Sequence, residues 1–392
     1  MNRTYLDHAA TSPCLPEAAA EVADRLTLPL NASSVHMEGQ GARAFLEEAR
    51  EQAGEALGFP PSQVVFTSGA SEANNLAIRG LAGARQVLSR PLRIALAPLE
   101  HSCVRETATA LETAGLAELH WLPVSREGQA ILPQESGVRT QTALIRTPDL
   151  LCLMAVQNET GVIQPAAQAR EFRDRTGCLW LCDATQAVAV TEEPLAGLGA
   201  DLVSLSSHKI GGPPGAGLLA GPGVRQLVPQ TTGGPQEGGM RAGTEPLALI
   251  AGFALALRLV RQRTAPHLRH LAALEDTLLA GLRRREVPFE VTGRRAPRVP
   301  GFLNLAFPGF TGADLVIALD GLGFAVSSGS ACATGVMETS PALEAMFPGD
   351  PERAAAGVRI TPGSGTALED MERLADVLAG LMSAPPGRAG TP

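Results

Sequence analysis

The sequence predicts an α/β fold in which parallel strands are covered by helices on both faces. Near-continuous apolar runs alternate with helix-like segments, a pattern typical of strands buried on both sides. Five of these runs end directly in a short polar motif, at residues 64–66, 94–97, 150–156, 178–182 and 202–206. Ligands of such sheets bind beyond the carboxyl ends of the strands. We therefore expect the five polar motifs to converge on one crevice.

The composition is that of a globular chain of two domains, with 392 residues, 45% hydrophobic and 18% charged. A net charge of -8 without long like-charge runs argues against nucleic acid or an anionic membrane as a partner. No apolar run approaches the length of a membrane span, and Arg3 and Asp7 lie where a signal peptide would be apolar. We expect a cytoplasmic protein.

The cysteines do not form the pattern of a disulfide framework. They are scattered, at Cys14, Cys103, Cys152, Cys178, Cys182 and Cys332. Cys178 and Cys182 are four residues apart in an apolar run and favour a buried pair over a metal site. Because the chain has neither a CxxC motif nor a His-rich tract, we expect no metal.

In chain order, an extended piece at 5–11 precedes helices predicted at 16–28 and 42–57. After the five runs, a long helical region at 246–285 is expected to break at Pro266. A less regular α+β part follows, with strands predicted near 290, 302–307, 324–326 and 358–361 and helices at 313–322 and 366–382. We expect a large domain at 14–256, a small domain formed by 1–13 and 257–382, and a disordered tail at 383–392.

Lys209 is the only lysine, and the other 31 basic residues are arginines. A lysine, unlike an arginine, can become neutral and nucleophilic and form a Schiff base with a carbonyl. A codon bias that left one lysine by chance would produce the same count. The position favours chemistry, because Lys209 follows an apolar alternating run and precedes a turn rich in Gly and Pro.

The other polar motifs are weak when taken singly. The turn from Gly69 to Ser71 at a helix start suits a phosphate, and equally an ordinary N-cap. Asp183 could simply cap a turn, and His101 and His208 could be ordinary hydrogen-bonded histidines.

Together with Lys209, these motifs fit pyridoxal 5'-phosphate (PLP). This cofactor needs a lysine for its aldehyde, an acid beside its ring nitrogen, a flat group over its ring, a donor to its phenolic oxygen and an anion pocket. Asp183, His101 and Gln186 suit the ring nitrogen, the ring face and the phenolic oxygen. The phosphate is assigned to the side chains of Ser71, Ser206 and His208 and to the amides around Gly69 and Ala70.

With these residues the chain resembles the cysteine desulfurases of the NifS/IscS kind, in the class V aminotransferase group of fold-type I PLP-dependent transferases. The resemblance extends from Tyr5 to about Met382. It rests on Tyr-Leu-Asp at 5–7, Asn-x-Ser-Ser-x-His at 31–36, Thr-Ser-Gly-Ala-Ser-Glu at 67–72, Glu-His at 100–101, Asn-Glu-Thr-Gly at 158–161, Asp-Ala-x-Gln at 183–186, Ser-x-His-Lys at 206–209, Arg-Ala-Gly-Thr at 241–244, Ser-Ser-Gly-Ser-Ala-Cys at 327–332 and Val-Arg-Ile-Thr at 358–361.

The resemblance implies a large domain with a mainly parallel seven-stranded sheet flanked by helices, and a smaller α+β domain. It also implies a function: L-cysteine becomes L-alanine, and the sulfur passes to Cys332 as a persulfide and then to an acceptor protein. Lys209 would bind the cofactor covalently, and Lys209 and His101 would both carry protons. Asn158 would contact ring and substrate, and Arg359 the substrate carboxylate. Thr244 would reach the phosphate of a second subunit, which implies a homodimer.

Two departures from the family pattern stand out. Gly238 replaces a frequent arginine, and His8-Ala9 replaces a frequent Asn-Asn. Other functions on the same scaffold are a selenocysteine lyase, a cystine lyase or an aminotransferase, and outside catalysis a binding scaffold. Only the desulfurase strictly needs the thiol of Cys332. Neither the acceptor (an iron–sulfur scaffold or a tRNA-thiolation carrier) nor the preference for cysteine over selenocysteine follows from the sequence.

Overall fold

The computed structural model describes residues 3–86, 90–133, 139–140, 143–144, 147–328 and 340–383. The strands in these ranges are β1 Thr4–Tyr5, β2 Val64–Thr67, β3 Leu92–Leu96, β4 Ala117–Trp121, β5 Arg139–Thr140, β6 Ala143–Leu144, β7 Leu150–Cys152, β8 Leu179–Asp183, β9 Leu202–Ser206, β10 Gly217–Ala220, β11 Glu290–Val291, β12 Leu303–Ala306, β13 Phe324–Ala325 and β14 Gly357–Ile360. The α-helices are α1 Pro16–Leu26, α2 Met37–Leu57, α3 Ala70–Gln86, α4 Ser102–Thr113, α5 Ala166–Thr176, α6 Leu247–Arg284, α7 Gly312–Gly321, α8 Pro341–Met346, α9 Pro351–Ala355 and α10 Leu368–Ser383.

A seven-stranded sheet forms the centre of the molecule, in the order β2-β10-β9-β8-β7-β3-β4. All neighbouring pairs are parallel except those of β10, which is antiparallel to both β2 and β9. The predicted α/β fold with a mainly parallel seven-stranded sheet is confirmed. The five apolar runs correspond to β2, β3, β7, β8 and β9, whereas β4 and β10 were not predicted.

Both faces of this sheet are buried, which explains why its strands are apolar without interruption. Leu150 and Cys152 of β7 pack into one core with Leu181 of β8, and Leu151 packs into the core on the opposite face with Trp180. Successive side chains of a strand point to opposite faces, so helices are needed on both sides.

A smaller antiparallel sheet, in the order β11-β12-β14, has its own core with α7, α10 and the second half of α6. The first strand of the chain joins this part, because β1 pairs in parallel with β13 and Leu6 is completely buried in the same core. The predicted domain boundary at 256 falls inside α6 and stays a prediction.

Helix α6 is continuous from Leu247 to Arg284, so the break predicted at Pro266 is wrong. A proline inside a helix removes one hydrogen bond and costs roughly 3 kcal/mol. Packing on both sides of Pro266 offsets this cost, since Phe253 and Leu257 are buried in the core of the large sheet and Leu274 and Leu278 in the core of the small one.

No described helix combines the length and the apolar character needed to cross a membrane. Among the described side chains, no group of three or more His, Cys, Asp and Glu residues is arranged to hold a metal ion.

Candidate active site

The carboxyl ends of β2, β8 and β9 place the predicted site residues at one edge of the large sheet. Asp183 is the last residue of β8, and Ser206 is the last residue of β9. One turn of 3-10 helix, Ser207–Ile210, follows β9 directly and holds His208 and Lys209. A turn through Gly69 leads from β2 into α3.

The amine of Lys209 lies against the N-terminal segment of the chain. Its Nζ donates to the carbonyl oxygens of Ala9 at 2.7 Å and Ala10 at 2.6 Å. Gln186 Nε2 donates to the same Ala9 oxygen at 2.9 Å. Ser12 N donates to the carbonyl oxygen of His208 at 2.9 Å, which ties the segment to the lysine turn. Segment 7–12 therefore positions the amine beside Gln186.

Asp183 is 7% exposed and is held by two hydrogen-bond donors. Its Oδ1 accepts from the backbone N of Thr185 at 3.0 Å, and its Oδ2 accepts from Asn74 Nδ2 at 2.9 Å. The buried hydroxyl of Thr185 has no partner among the described atoms. A carboxylate fixed in this way can act on a neighbouring cation or N–H group without reorienting.

His101 is the N-cap of α4, and its Nδ1 accepts from the backbone N of Cys103 at 3.2 Å. Burial lowers the pKa of His101; the charge of Asp183 opposes this effect, and those of Lys209 and Arg105 add to it. Because these interactions join His101, Asp183 and Lys209, the structure brings the three predicted residues together. The imidazole is neutral at neutral pH.

The turn before α3 has the features of an anion site. Ala70 and Ser71 open the 17-residue helix α3, whose first backbone N–H groups point out of its N-terminus. A Cβ at Gly69 would lie 3.6 Å from Ser206 Oγ, so the turn is adjacent to β9. A Cβ at Gly217 would lie 2.5 Å from the Cα of Gly69, so only glycine allows this close approach.

His208 lies on the other side of the lysine turn, where its Nδ1 is 3.1 Å from Thr11 Oγ1. Burial, followed by the charge of Lys209, lowers the pKa of His208 to about 4. A neutral imidazole retains one N–H donor, which is the property needed for a hydrogen bond to a phosphate.

Arg359, on β14, is 3% exposed. Its Nη2 donates to Asp7 Oδ1 at 2.7 Å and its Nη1 to the carbonyl oxygen of Asn158 at 2.8 Å. Its Nε is buried and has no hydrogen-bond partner among the described atoms. An arginine with an unused donor at this place has the capacity to bind a carboxylate.

Thr244 and Cys332 are not joined to this group by described contacts. Thr244 is exposed in the loop before α6. The same loop is tied to the phosphate turn by Arg241, whose Nε is 3.0 Å from Glu72 Oε1, while Glu72 Oε2 accepts from Ser68 N at 2.8 Å. Cys332 lies outside the described residues.

Several residues of the site were not predicted. Asn74 contacts Asp183, Cys103 contacts His101, and Asp7 contacts Arg359. Asn74 lies three residues after Ser71, on the same face of α3, and this spacing could have revealed it. Glu100 is another: it is 3% exposed, and its Oε1 accepts from Met154 N at 2.8 Å.

A cavity of about 950 Å³ opens behind the N-terminal segment. Its walls include Lys209, Gln186, His8 and His267, and residues of both the large-sheet part and the small-sheet part line it. His101 and Asp183 are not in its lining, whereas Thr185 and Gln186, which follow the end of β8, are.

The residue set fits PLP by its chemistry. An amine, a fixed carboxylate and a neutral imidazole interact at one sheet edge, and glycine-lined backbone next to a helix N-terminus and two serines supplies an anion cradle. The fold and site thus define a PLP-dependent enzyme. Residues 4–373 match the family model "Aminotransferase class-V". The chain belongs to the class V aminotransferase family and, within it, is NifS/IscS-like.

Three relatives illustrate the similarity. The protein named cysteine desulfurase IscS of Tolumonas auensis is 38% identical over 376 residues, which cover 94% of this chain and 90% of that protein. A solved structure of a NifS-like protein has a TM-score of 0.83 and 26% identity and covers 97% of this chain and 99% of its own. The structure of SspA in complex with cysteine has a TM-score of 0.77 and 28% identity, with 93% of this chain and 100% of that chain covered.

Proposed function

We propose that the protein is a cysteine desulfurase that converts L-cysteine into L-alanine and transfers the sulfur to Cys332. One observation supports this most directly: segment 7–12 joins the Lys209 amine to Arg359, with Ala9 on the lysine and Asp7 on the arginine. An anchor for the cofactor and a binder for an amino-acid carboxylate are thereby held at a fixed spacing. Relatives named cysteine desulfurase and the cysteine complex of SspA support the same substrate.

The cofactor, when bound, supplies an electron sink for the carbanion next to the substrate amine. Lys209 would hold its aldehyde, Asp183 its ring nitrogen and Gln186 its phenolic oxygen. Its phosphate would be held by Ser71, Ser206, His208 and the Gly69–Ala70 amides. His101 would lie against the face of its ring. Arg359 binds the substrate carboxylate beside Asn158. Lys209 and His101 carry protons between the substrate carbons, since both interact in the same crevice.

The sulfur transfer is a displacement at sulfur. The thiolate of Cys332 attacks the substrate sulfur, so that an S–S bond forms while the Cβ–S bond breaks. The Cβ atom takes the electron pair of the broken bond and then a proton, which gives the methyl group of alanine. Sulfur is oxidised and carbon is reduced by the same two electrons, so no external oxidant is needed. Cys332 remains as a persulfide.

The enzyme is proposed to act as a homodimer. Val35 and Met37 are 88% and 80% exposed, at the end of the Asn31–His36 motif. Gln236 Nε2 donates to Ser33 Oγ at 3.4 Å, which joins this motif to the loop that carries the exposed Thr244. Two large apolar side chains on a surface continuous with Thr244 suit a subunit interface. Replacing both Val35 and Met37 by glutamate should yield monomers with weakened cofactor binding.

The persulfide sulfur is proposed to pass to a protein acceptor, in iron–sulfur cluster assembly or in tRNA thiolation. Sulfur transfer assays with a purified iron–sulfur scaffold and a tRNA-thiolation carrier separate these two routes. The productive acceptor accelerates the disappearance of the Cys332 persulfide, and the other does not.

The activity itself is tested with the PLP-reconstituted protein and L-cysteine in the presence of dithiothreitol. We expect a visible absorption band and equal amounts of alanine and sulfide. The variant Lys209→Ala should lose the band and the activity. Conversion of cysteine to a keto acid by amino transfer would instead indicate an aminotransferase, and faster turnover of cystine or selenocysteine would indicate the corresponding lyase.

A further inference from the structure

Asn74 connects two of the site residues. It is completely buried, and its single amide nitrogen lies 2.9 Å from Asp183 Oδ2 and 3.3 Å from Cys103 Sγ. An asparagine amide group carries two hydrogens. One is donated to the carboxylate and the other to the sulfur, so both donors of Asn74 are used and the Cys103 sulfur is an acceptor in this contact.

Cys103 in turn contacts His101. The Sγ atom lies 3.1 Å from His101 Nδ1, and the backbone N of Cys103 donates to the same nitrogen at 3.2 Å. A ring nitrogen that accepts a backbone N–H cannot carry a proton of its own. In the contact between Sγ and Nδ1 the thiol is therefore the donor, and the imidazole proton of the neutral ring lies on Nε2.

We infer that Asn74 and Cys103 are positioning residues, which orient Asp183 and His101 through one continuous chain of hydrogen bonds and fix the His101 proton on Nε2. The chain runs from Asn74 to Asp183 in one direction and from Asn74 through Cys103 to His101 in the other. This inference rests on the proposed function of the site for its catalytic meaning. The hydrogen-bond pattern itself can be tested without turnover.

The charges around the pair agree with these donor roles. Burial, with the nearby Asp183, raises the pKa of the Cys103 thiol to about 12; the side chains of Asn74 and Ser71 act in the opposite direction. The thiol therefore keeps its hydrogen at neutral pH and acts as a donor, not as a nucleophile.

The groups that face His101 come from three elements. Asp183 belongs to β8 and favours the imidazolium form, whereas Lys209, after β9, and Arg105, on α4, oppose it. Glu100 precedes His101 in the chain, and burial raises its pKa to about 8, so this carboxyl group is neutral at neutral pH. A hydrogen bond donated to Nδ1 adds to the effects that favour the neutral ring.

The hydrogen bond from the thiol affects how readily the neutral His101 ring takes up a proton. A neutral ring with its hydrogen on Nε2 can take up a proton only at Nδ1, where that proton competes with the two hydrogen-bond donors. Without the S–H donor, Nδ1 becomes a better proton acceptor, and the pKa of His101 rises toward its ordinary value. The thiol thus adjusts the histidine without contacting substrate.

The test is an NMR titration of the PLP-reconstituted, full-length protein labelled with 15N-histidine, in which His101→Gln assigns the signal. Wild type should show the His101 proton on Nε2. Cys103→Ala should raise the pKa of His101 by about one unit. Cys103→Ser should keep it near the wild-type value, because the serine hydroxyl replaces the S–H donor. Cys178→Ala removes a buried thiol immediately before β8 and should leave the pKa of His101 unchanged.

Serine and alanine are both smaller than cysteine, so a pure packing role would shift the two Cys103 variants alike. Equal shifts, no shift in Cys103→Ala, or a wild-type His101 proton on Nδ1 would overturn the inference. Asn74→Ala should shift the same pKa in the same direction, and combining it with Cys103→Ala should add little, because both act through one chain. Full additivity would also contradict it. Since no product is measured, failure of this test differs from failure of the proposed reaction.

Discussion

Arg359 donates from Nη2 to Oδ1 of Asp7 at 2.7 Å, across 352 positions of the chain. The contact joins β14 of the small sheet to the N-terminal segment that holds the Lys209 amine through Ala9. The substrate arginine and the cofactor lysine are thereby connected by a few residues of backbone. The position of one depends on the position of the other.

Replacing Arg359 by lysine should raise the KM for cysteine roughly ten- to hundredfold, because an ionic hydrogen bond contributes about 1.5–3 kcal/mol. Lysine keeps the positive charge opposite Asp7 but loses the planar group that can bind several oxygens. Steady-state kinetics with L-cysteine give the KM, and the absorption band of bound PLP shows that the cofactor site is intact.

The matched control for that variant is Arg353→Lys. Arg353 pairs with Glu290 at 3.0 Å in the same part of the molecule. This change should leave the KM within about twofold of wild type. An Arg359→Lys enzyme with an unchanged KM would show that Arg359 does not bind the substrate.

Glu100 should make the protein less stable as the pH rises from acid to neutral. Burial, with the charge of Asp183, raises its pKa to about 8, although the hydrogen bond from Met154 N opposes the shift. A carboxyl group with a raised folded-state pKa gives stability that is complete below its unfolded pKa and is lost as the pH rises to the folded value. The window runs from about pH 4.5 to 8.

The isostere Glu100→Gln removes this titration while keeping an acceptor for Met154 N. Urea unfolding at about pH 5 and pH 8 should show wild type losing stability relative to the variant, by at most about 1.4 kcal/mol per pH unit. Parallel curves for the two proteins would contradict a raised pKa. Glu100→Ala leaves the Met154 N–H without a partner and should cost about 1–3 kcal/mol at any pH.

The loop that carries Thr244 depends on a buried ion pair. Glu237 binds both terminal nitrogens of Arg50, at 2.7 Å and 3.0 Å, and accepts from Phe66 N at 2.8 Å. Breaking a buried pair from one side costs about 3–5 kcal/mol. Glu237→Gln should therefore destabilise the protein by about 3 kcal/mol and weaken cofactor binding, as urea unfolding and PLP titration will show.

Glu372 is the control for this change, because its pair with Arg284 is exposed. Glu372→Gln should lower the free energy of unfolding by less than about 1 kcal/mol. Similar losses of stability for Glu237→Gln and Glu372→Gln would mean that the buried pair contributes no more than the exposed one.

Gly238, which follows Glu237 and replaces the arginine frequent in the family, has a φ of 63°. An arginine at this position would adopt that backbone conformation only with strain.

Sequence patterns predicted the strand ends well, because fully buried parallel strands need uninterrupted apolar runs. Asp183 and Ser206 therefore lie where the motifs placed them, at the ends of β8 and β9. Strand β10 was missed, since nothing in its short apolar run tells an antiparallel strand from a parallel one. The continuous α6 was missed because a local rule for Pro266 does not include distant packing.

Contacts between distant residues could not be predicted from spacing. Asp7 and Arg359 meet because the N-terminal segment pairs with the end of β14, where Asp7 and Thr361 form a parallel bridge. Cys103 contacts His101 through a helix cap, a geometry that the two residue names do not specify. The ring of His8 packs against Gly363, and the Ala9 oxygen that accepts from Lys209 belongs to the backbone.

The most direct test of the proposed reaction is mass spectrometry of the protein after one turnover with L-cysteine and no reductant. The desulfurase mechanism predicts one added sulfur atom on the peptide that contains Cys332, one alanine per active site, and neither in Cys332→Ala. Alanine formation that persists unchanged in Cys332→Ala, or an added sulfur on another cysteine only, would contradict it.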